Sequence, residues 1–300
     1  MPEKKSQVIY SKEGELVPLF FLKKLEIHKQ SSKMLSMNEK RLSFGLGNAK
    51  LGKRVAVFSL PSGHACLFAK LCKASADRVT GKVSDGPHSQ FRCFATVPET
   101  LFKIVRESRW HNWELLKAAR TMKNMVALIT CSIPSSATHI RFNASGDFFS
   151  QNYFDAWLEV AKNDPSRIYY GYSKALPFWV KRLDKIPSNF HLVASMGGTH
   201  DYLIEKYNLR NARVVFSEGE AKLLGLPIDH TDEHVWNYPG NFCVLIHGTQ
   251  PKGSDAGKAW YKIFKFGRGG YKSDYFAHYE KNKSVFSPMV HRFSSFLRAA

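Results

Sequence analysis

The feature that most constrains this chain is a cadence of short apolar segments between residues 138 and 195. His139-Ile140-Arg141-Phe142 reads as a strand that meets the turn residues Asn143-Ala144-Ser145-Gly146-Asp147. Residues 153–162 then place Phe154, Trp157, Leu158 and Ala161 at helical spacing and stop before Asp164-Pro165. Residues 167–173 form a second strand, a Pro-interrupted helical stretch runs to Leu183, and residues 190–195 form a third strand. Helices between strands are what parallel pairing requires, because a parallel neighbour is reached only by a long crossover. Residues 55–58, 214–216 and 242–247 look like further strands of the series. The predicted fold class is therefore α/β, a parallel-sheet, barrel-like core with basic N- and C-terminal extensions. In such sheets the working groups stand on loops after the carboxyl ends of strands.

Outside this region the pattern is less regular. Residues 106–123 read as a helix, and 125–131 as an apolar strand that would bury Cys131 as plain core. Ser43-Phe44-Gly45-Leu46-Gly47 reads as a turn or loop. The net charge of +19 sits mainly at the ends: residues 1–54 hold 12 basic and 5 acidic side chains, and residues 251–300 hold 10 and 3. That divides the chain into a basic arm or outer layer (1–54), an α/β core (55–250) and a basic, aromatic segment packed on it (251–300). The excess favours a polyanion such as nucleic acid as partner. No apolar run approaches the roughly 18–20 residues that span a bilayer, so no membrane partner is expected. Five cysteines and an N-terminus without an apolar leader point to a reducing cytoplasm.

Several constellations could carry chemistry. Cys66, Cys72 and Cys93, spaced C-x5-C and C-x20-C, could ligate an iron–sulfur cluster or zinc, with His64, His88 or Cys243 completing the set. Against this stands the ordinary alternative of three buried thiols packing as small hydrophobes. Ser145-Gly146-Asp147 ends a predicted strand, where Asp147 can act as base, nucleophile or amine-binding group, or merely cap the next helix. Ser195-Met196-Gly197-Gly198 stands after another strand and suits a ligand-contacting loop. Asp229-His230-Thr231-Asp232-Glu233-His234 offers metal-ligating types but reads more readily as a solvated loop. Residues 249–258, with Lys252, Gly253, Gly257 and Lys258, could cradle a phosphate, although the spacing is not that of a P-loop. Beyond, Lys258, Lys262, Lys265, Arg268 and Lys272 alternate with aromatic residues, a pattern that suits phosphate neutralisation and base stacking.

The run Arg141-Phe142-Asn143-Ala144-Ser145-Gly146-Asp147-Phe148-Phe149-Ser150-Gln151-Asn152-Tyr153-Phe154-Asp155-Ala156-Trp157, continued by Tyr169-Tyr170-Gly171-Tyr172-Ser173-Lys174, resembles the phage gene product 88 family. Leu60-Pro61, Cys66, Cys72 and Cys93-Phe94-Ala95 are similar to its Leu-Pro and cysteine region, with a longer gap between the second and third cysteines. More distantly, the order of three cysteines followed by a Ser-Gly-Asp loop resembles radical S-adenosylmethionine barrels. That likeness implies a [4Fe–4S] cluster on Cys66, Cys72 and Cys93, with Gly146, Ser195, Gly197 and Gly198 near S-adenosylmethionine. A second likeness, to deazaguanine transglycosylases, implies a nucleobase-exchanging enzyme with Asp147 and Ser145 in the base pocket. The expectation is a nucleic-acid-modifying phage enzyme of the first kind, in the host cytoplasm, with base exchange as the alternative. The competing class is a non-catalytic nucleic-acid or partner-binding protein, in which Asp147 would be dispensable.

Overall fold

The computed structural model describes residues 8–10, 16–18, 41–47 and 51–267. The chain divides into two units, Met1–Arg41 and Leu42–Ala300. In the first, β1 (Val8–Tyr10) and β2 (Leu16–Pro18) pair antiparallel. The second is built on a seven-stranded sheet. Its strands are β3 (Phe44–Leu46), β4 (Val55–Ser59), β7 (His139–Ser145), β8 (Ile168–Ser173), β9 (Phe190–Ser195), β10 (Asn211–Val215) and β11 (Phe242–Leu245), with β5 (Ala74–Ala76) and β6 (Val83–Asp85) forming a separate hairpin. The order across the sheet is β11-β10-β9-β8-β7-β4-β3. Every pairing is parallel except that of β3 with β4. The sheet is open, with β3 and β11 at its edges, so the expected barrel does not close. Residues 44–46, expected as a turn, are instead the antiparallel edge strand.

Alternation along the strands separates two faces. Ala56, Phe58, Ile140, Phe142, Tyr169, Leu192 and Ala194 join one core with the helices α2 (Lys103–Ala119), α3 (Met122–Ser132) and α4 (Gln151–Lys162). Between β6 and α2 lies the short helix α1 (Thr96–Leu101). The opposite face carries Val55, Tyr170, Val193, Ala212 and Phe242. Helix α4 forms where its stripe was predicted and begins at Ser150, whose hydroxyl accepts from Tyr153 N at 3.2 Å. The expected strand at 125–131 is helix α3. Thr121 caps it by accepting from Asn124 N at 3.2 Å, and Met125 and Ile129, four residues apart, point inward. A short apolar run satisfies either period, and the cap decides here. Cys131 is consequently exposed on a helix rather than buried in a strand.

The remaining helices follow the strands: α5 (Leu176–Trp179), α6 (Tyr202–Lys206), α7 (Glu218–Leu223), α8 (His234–Asn237) and α9 (Asp255–Gly267). Among the described residues no helix is long and apolar enough to cross a membrane.

Candidate functional site

The carboxyl ends of the parallel strands border a cavity of about 430 Å³, whose wall includes Cys66, Cys72, Cys93, Arg141, Asp147 and Lys174. That volume lies within the roughly 300–1,000 Å³ usual for small-ligand pockets. Three cysteines that precede β7 thus meet the turn after it, and for Cys66 the reason is local. Gly146 has φ +77°, and a Cβ there would lie 2.6 Å from the Cβ of Leu60. Leu60 N donates to Ser145 O at 2.8 Å, so the Ser-Gly-Asp turn lies directly on the loop that leads to Cys66.

Asp147 is 6% exposed and anchored across the sheet. Its Oδ1 accepts from Phe148 N at 2.8 Å and from Ser173 Oγ at 2.7 Å, while Oδ2 accepts from Lys174 N at 2.8 Å. Burial holds its carboxyl above the usual range, and the Lys174 N–H is the first of the groups that oppose this. Lys174 Nζ in turn donates to Ser195 O at 3.0 Å, Ser195 Oγ at 2.5 Å and Met196 O at 2.9 Å. One residue therefore ties the ends of β7, β8 and β9 together: its N–H holds the carboxylate and its ammonium holds the next strand.

A second polar cluster borders the same cavity. Arg141 Nε donates to Asp232 Oδ2 at 3.1 Å, and its guanidinium lies 4.8 Å from the centre of the Tyr172 ring. Asp229 is 2% exposed; Oδ1 accepts from Thr231 N at 2.9 Å and lies 3.5 Å from His234 Nδ1. Within β7 the register slips. Val57 pairs with Arg141 and Ser59 with Ser145, which leaves two extra residues on β7 and puts Asn143 at φ +48°. Asparagine tolerates that left-handed conformation, and the bulge redirects the strand beside the cavity. Three residues of the wall keep a buried polar atom without a partner: Asn143 Nδ2, the Tyr172 hydroxyl and Asp229 Oδ2.

The sequence expectations fare unevenly. Asp147, Gly146 and Ser195 border the cavity, and so do Cys66, Cys72 and Cys93. Ser145 does too, but its hydroxyl serves a buried ion pair: it accepts from Arg109 Nη1 at 2.9 Å and donates to Glu99 Oε1 at 3.4 Å. Gly197 and Gly198 turn their N–H groups to Asp201, at 2.7 and 2.9 Å, rather than to a ligand. Cys243 stands on the other face of β11 with Val215, Ala221 and Leu245, while its neighbour Val244 faces the cavity; Cys243 therefore cannot join the other three. Among the described residues no group of three or more His, Cys, Asp or Glu is placed to hold a metal ion. Burial pushes the Cys66 thiol up to about 12. Interaction with Cys93 holds Cys72 below the usual thiol range, while interaction with Cys72 pushes Cys93 well above it.

The Asp229–His234 segment is solvated only in part: Thr231 and Glu233 are exposed, whereas Asp229 and Asp232 are drawn into the wall of the cavity. Residues 249–258 cap α9 instead of cradling an anion: Gly257 N donates to Ser254 Oγ at 2.9 Å. Lys252, Lys258 and Lys265 are exposed and Lys262 half-buried, whereas Arg268 and Lys272 lie outside the described residues. Arg141, Asn143, Tyr172 and Lys174 were not singled out as site residues by pattern, and Asp229 and Asp232 only as metal-ligating types in a loop. The only available signal was that Arg141, Asn143, Tyr172 and Lys174 fall at strand ends beside Ser145-Gly146-Asp147.

Comparison with known proteins agrees with the motif resemblance. The family described as Gene product 88 matches residues 33–262. The Gene 88 protein of Mycobacterium phage L5 is 27% identical over 143 residues, which cover 43% of this chain and 60% of that protein. The chain thus spans less than two thirds of the length of this curated relative. No solved structure matches. Three quarters of the chain, including the whole cavity, lies within the family match, and the chain belongs to the phage gene product 88 family.

Proposed function

We propose that this protein is a nucleic-acid-modifying enzyme that exchanges a base, with the target base held in the cavity and Asp147 as the working carboxylate. The observation that carries this reading is the state of Asp147. Three hydrogen bonds fix the carboxylate, yet Oδ2 accepts only one and keeps a lone pair on a residue that borders the cavity. A fixed, desolvated carboxylate is suited to attack the sugar C1′ of an extruded nucleotide. The bond from C1′ to the base breaks, the base leaves with the electron pair and takes a proton, and a glycosyl ester remains. A second base attacks C1′ through a ring nitrogen that gives up its proton, the C1′–O ester bond breaks, and the carboxylate returns.

The unpartnered wall atoms support a purine as the occupant. Asp229 Oδ2 supplies an acceptor and Asn143 Nδ2 a donor. Guanine presents the complement, an O6 acceptor together with N–H donors on the same edge. Helix α9 supports docking of the polyanion, since Tyr261 and Phe264 are exposed beside Lys258 and Lys265.

The test is incorporation of radiolabelled guanine into duplex DNA or transfer RNA, followed by nucleoside analysis of the digested product. Label transfer by the natural chain and its loss in Asp147→Asn are expected. Absence of transfer into either nucleic acid, or equal transfer by Asp147→Asn, overturns the reading.

A further inference from the structure

Among the described residues that line the cavity, Phe94 alone is exposed, at 41%, so its ring marks the mouth. The ring is held there firmly. The imidazole of His247, also on the wall, lies against it with ring centres 4.3 Å apart and planes 33° from parallel. His247 Nδ1 donates to Leu245 O at 2.9 Å, which fixes the imidazole. Gly248, at φ +75°, lets the two segments touch, because a Cβ there would lie 3.1 Å from Phe94 Cα. Buried Gln250 clamps them together. Its Oε1 accepts from Arg92 N at 2.7 Å, and its Nε2 donates to Arg92 O at 3.0 Å and to His247 O at 3.1 Å. An apolar ring this exposed gains nothing from water, and its bracing keeps it from turning inward. Exposed Lys70 adjoins the wall residue Ala69, and exposed Lys252 lies two residues past Gln250, so both flanking segments carry cations.

We propose that Phe94 is a stacking platform for the base next to the one held in the cavity, so that the protein takes its nucleic acid at an unpaired position. The proposal rests on the base-exchange reading and deepens it. In a stacked strand both faces of a base are covered by its neighbours. Extruding one nucleotide uncovers a face of the next, and a fixed aromatic ring at the mouth takes the vacated place. Such stacking tolerates any sequence, since every base has a π-face, while the lysines meet phosphates on either side. A ring that is already fixed also loses little conformational freedom when the base arrives. The wall atoms read the target base, and Phe94 reads only that its neighbour has lost a stacking partner.

The test is a binding cycle on the full chain carrying Asp147→Asn, which holds off the transfer chemistry. Fluorescence anisotropy measures affinity for a short labelled single strand containing one guanine. The strand is either intact or abasic immediately 5′ or immediately 3′ of that guanine. At one of the two positions, loss of the base should weaken binding roughly 5- to 150-fold, and Phe94→Ala should weaken binding of the intact strand by a similar factor. Both changes together should cost no more than either alone. Phe94→Tyr keeps the π-face and should retain binding, whereas Phe94→Leu, which keeps only apolar bulk, should not. None of these changes should move the salt slope, because no charge is altered. Additive losses at both abasic positions, binding by Phe94→Leu equal to that of the parent, or no binding of any strand overturns the platform. Failure of the base-exchange reading shows elsewhere. Coupling to Phe94 without label transfer by the natural chain overturns base exchange and supports the platform, whereas transfer without coupling overturns the platform alone.

Discussion

The turns after β7 and β9 begin alike and end differently. Each follows the carboxyl end of a parallel strand, opens with a serine, contains glycine at positive φ and closes on an aspartate. Asp201 bends back on its own turn and takes the N–H groups of Gly197 and Gly198. Asp147 takes only one N–H of its own segment and reaches across to Ser173 and Lys174 of the neighbouring strand. A carboxylate spent on its own loop stabilises that loop. One held between strands is fixed at the place where the strand ends open into the cavity, with coordination to spare.

Substitutions can break or sharpen this contrast. The largest effect is expected from Asp147→Asn, which keeps the shape but not the charge: guanine transfer should fall by roughly 10³-fold or more while the thermal midpoint moves little. Glu99→Gln attacks the structural side of the same turn. Glu99 is fully buried against Arg109 and Ser145, so calorimetry should show a loss of about 3–5 kcal/mol in stability, as for other broken buried ion pairs. Asp229→Asn tests the distant wall. An isosteric loss of one charged acceptor, worth about 1.5–3 kcal/mol, should lower kcat/KM for guanine about 10- to 100-fold with kcat less affected. Asp201→Asn should cost only about 1 kcal/mol of stability, because the amide oxygen can keep one of the two bonds from Gly197 and Gly198, and leave transfer within severalfold of normal. Equal behaviour of Asp147→Asn and Asp201→Asn would erase the distinction between the two turns. The smallest change concerns docking. Replacing Lys258 and Lys265 by alanine should reduce the slope of log affinity against log salt by about 2 if both meet phosphates.

The path of the sheet was largely legible in the sequence. Six of its strands follow segments whose apolar residues sit between turn signals, and α4 follows its stripe of Phe154, Trp157, Leu158 and Ala161. Where the pattern misled, the run was short. Residues 125–131 fit both periods, and the cap at Thr121 settled the matter in favour of helix. The site was legible by half. Position after a strand marked Asp147, but the same rule marked Gly197 and Gly198, whose N–H groups are already used. Spacing gathered Cys66, Cys72 and Cys93, and the fold brings all three to the wall of the cavity, while Cys243 falls on the other face of β11.

By itself, then, the sequence determined the parallel α/β character and the family, because hydrophobic period, turn residues and motif order are local properties of the chain. Tertiary structure alone decided that the sheet stays open, that Asp229 is buried and that Asp232 meets Arg141. It also decided that Ser145 turns to Glu99 while Asp147 faces the cavity. These outcomes depend on which groups meet across strands dozens of residues apart. Buried charges and hydroxyls must find partners there, and the partner each one finds fixes what is left over for chemistry.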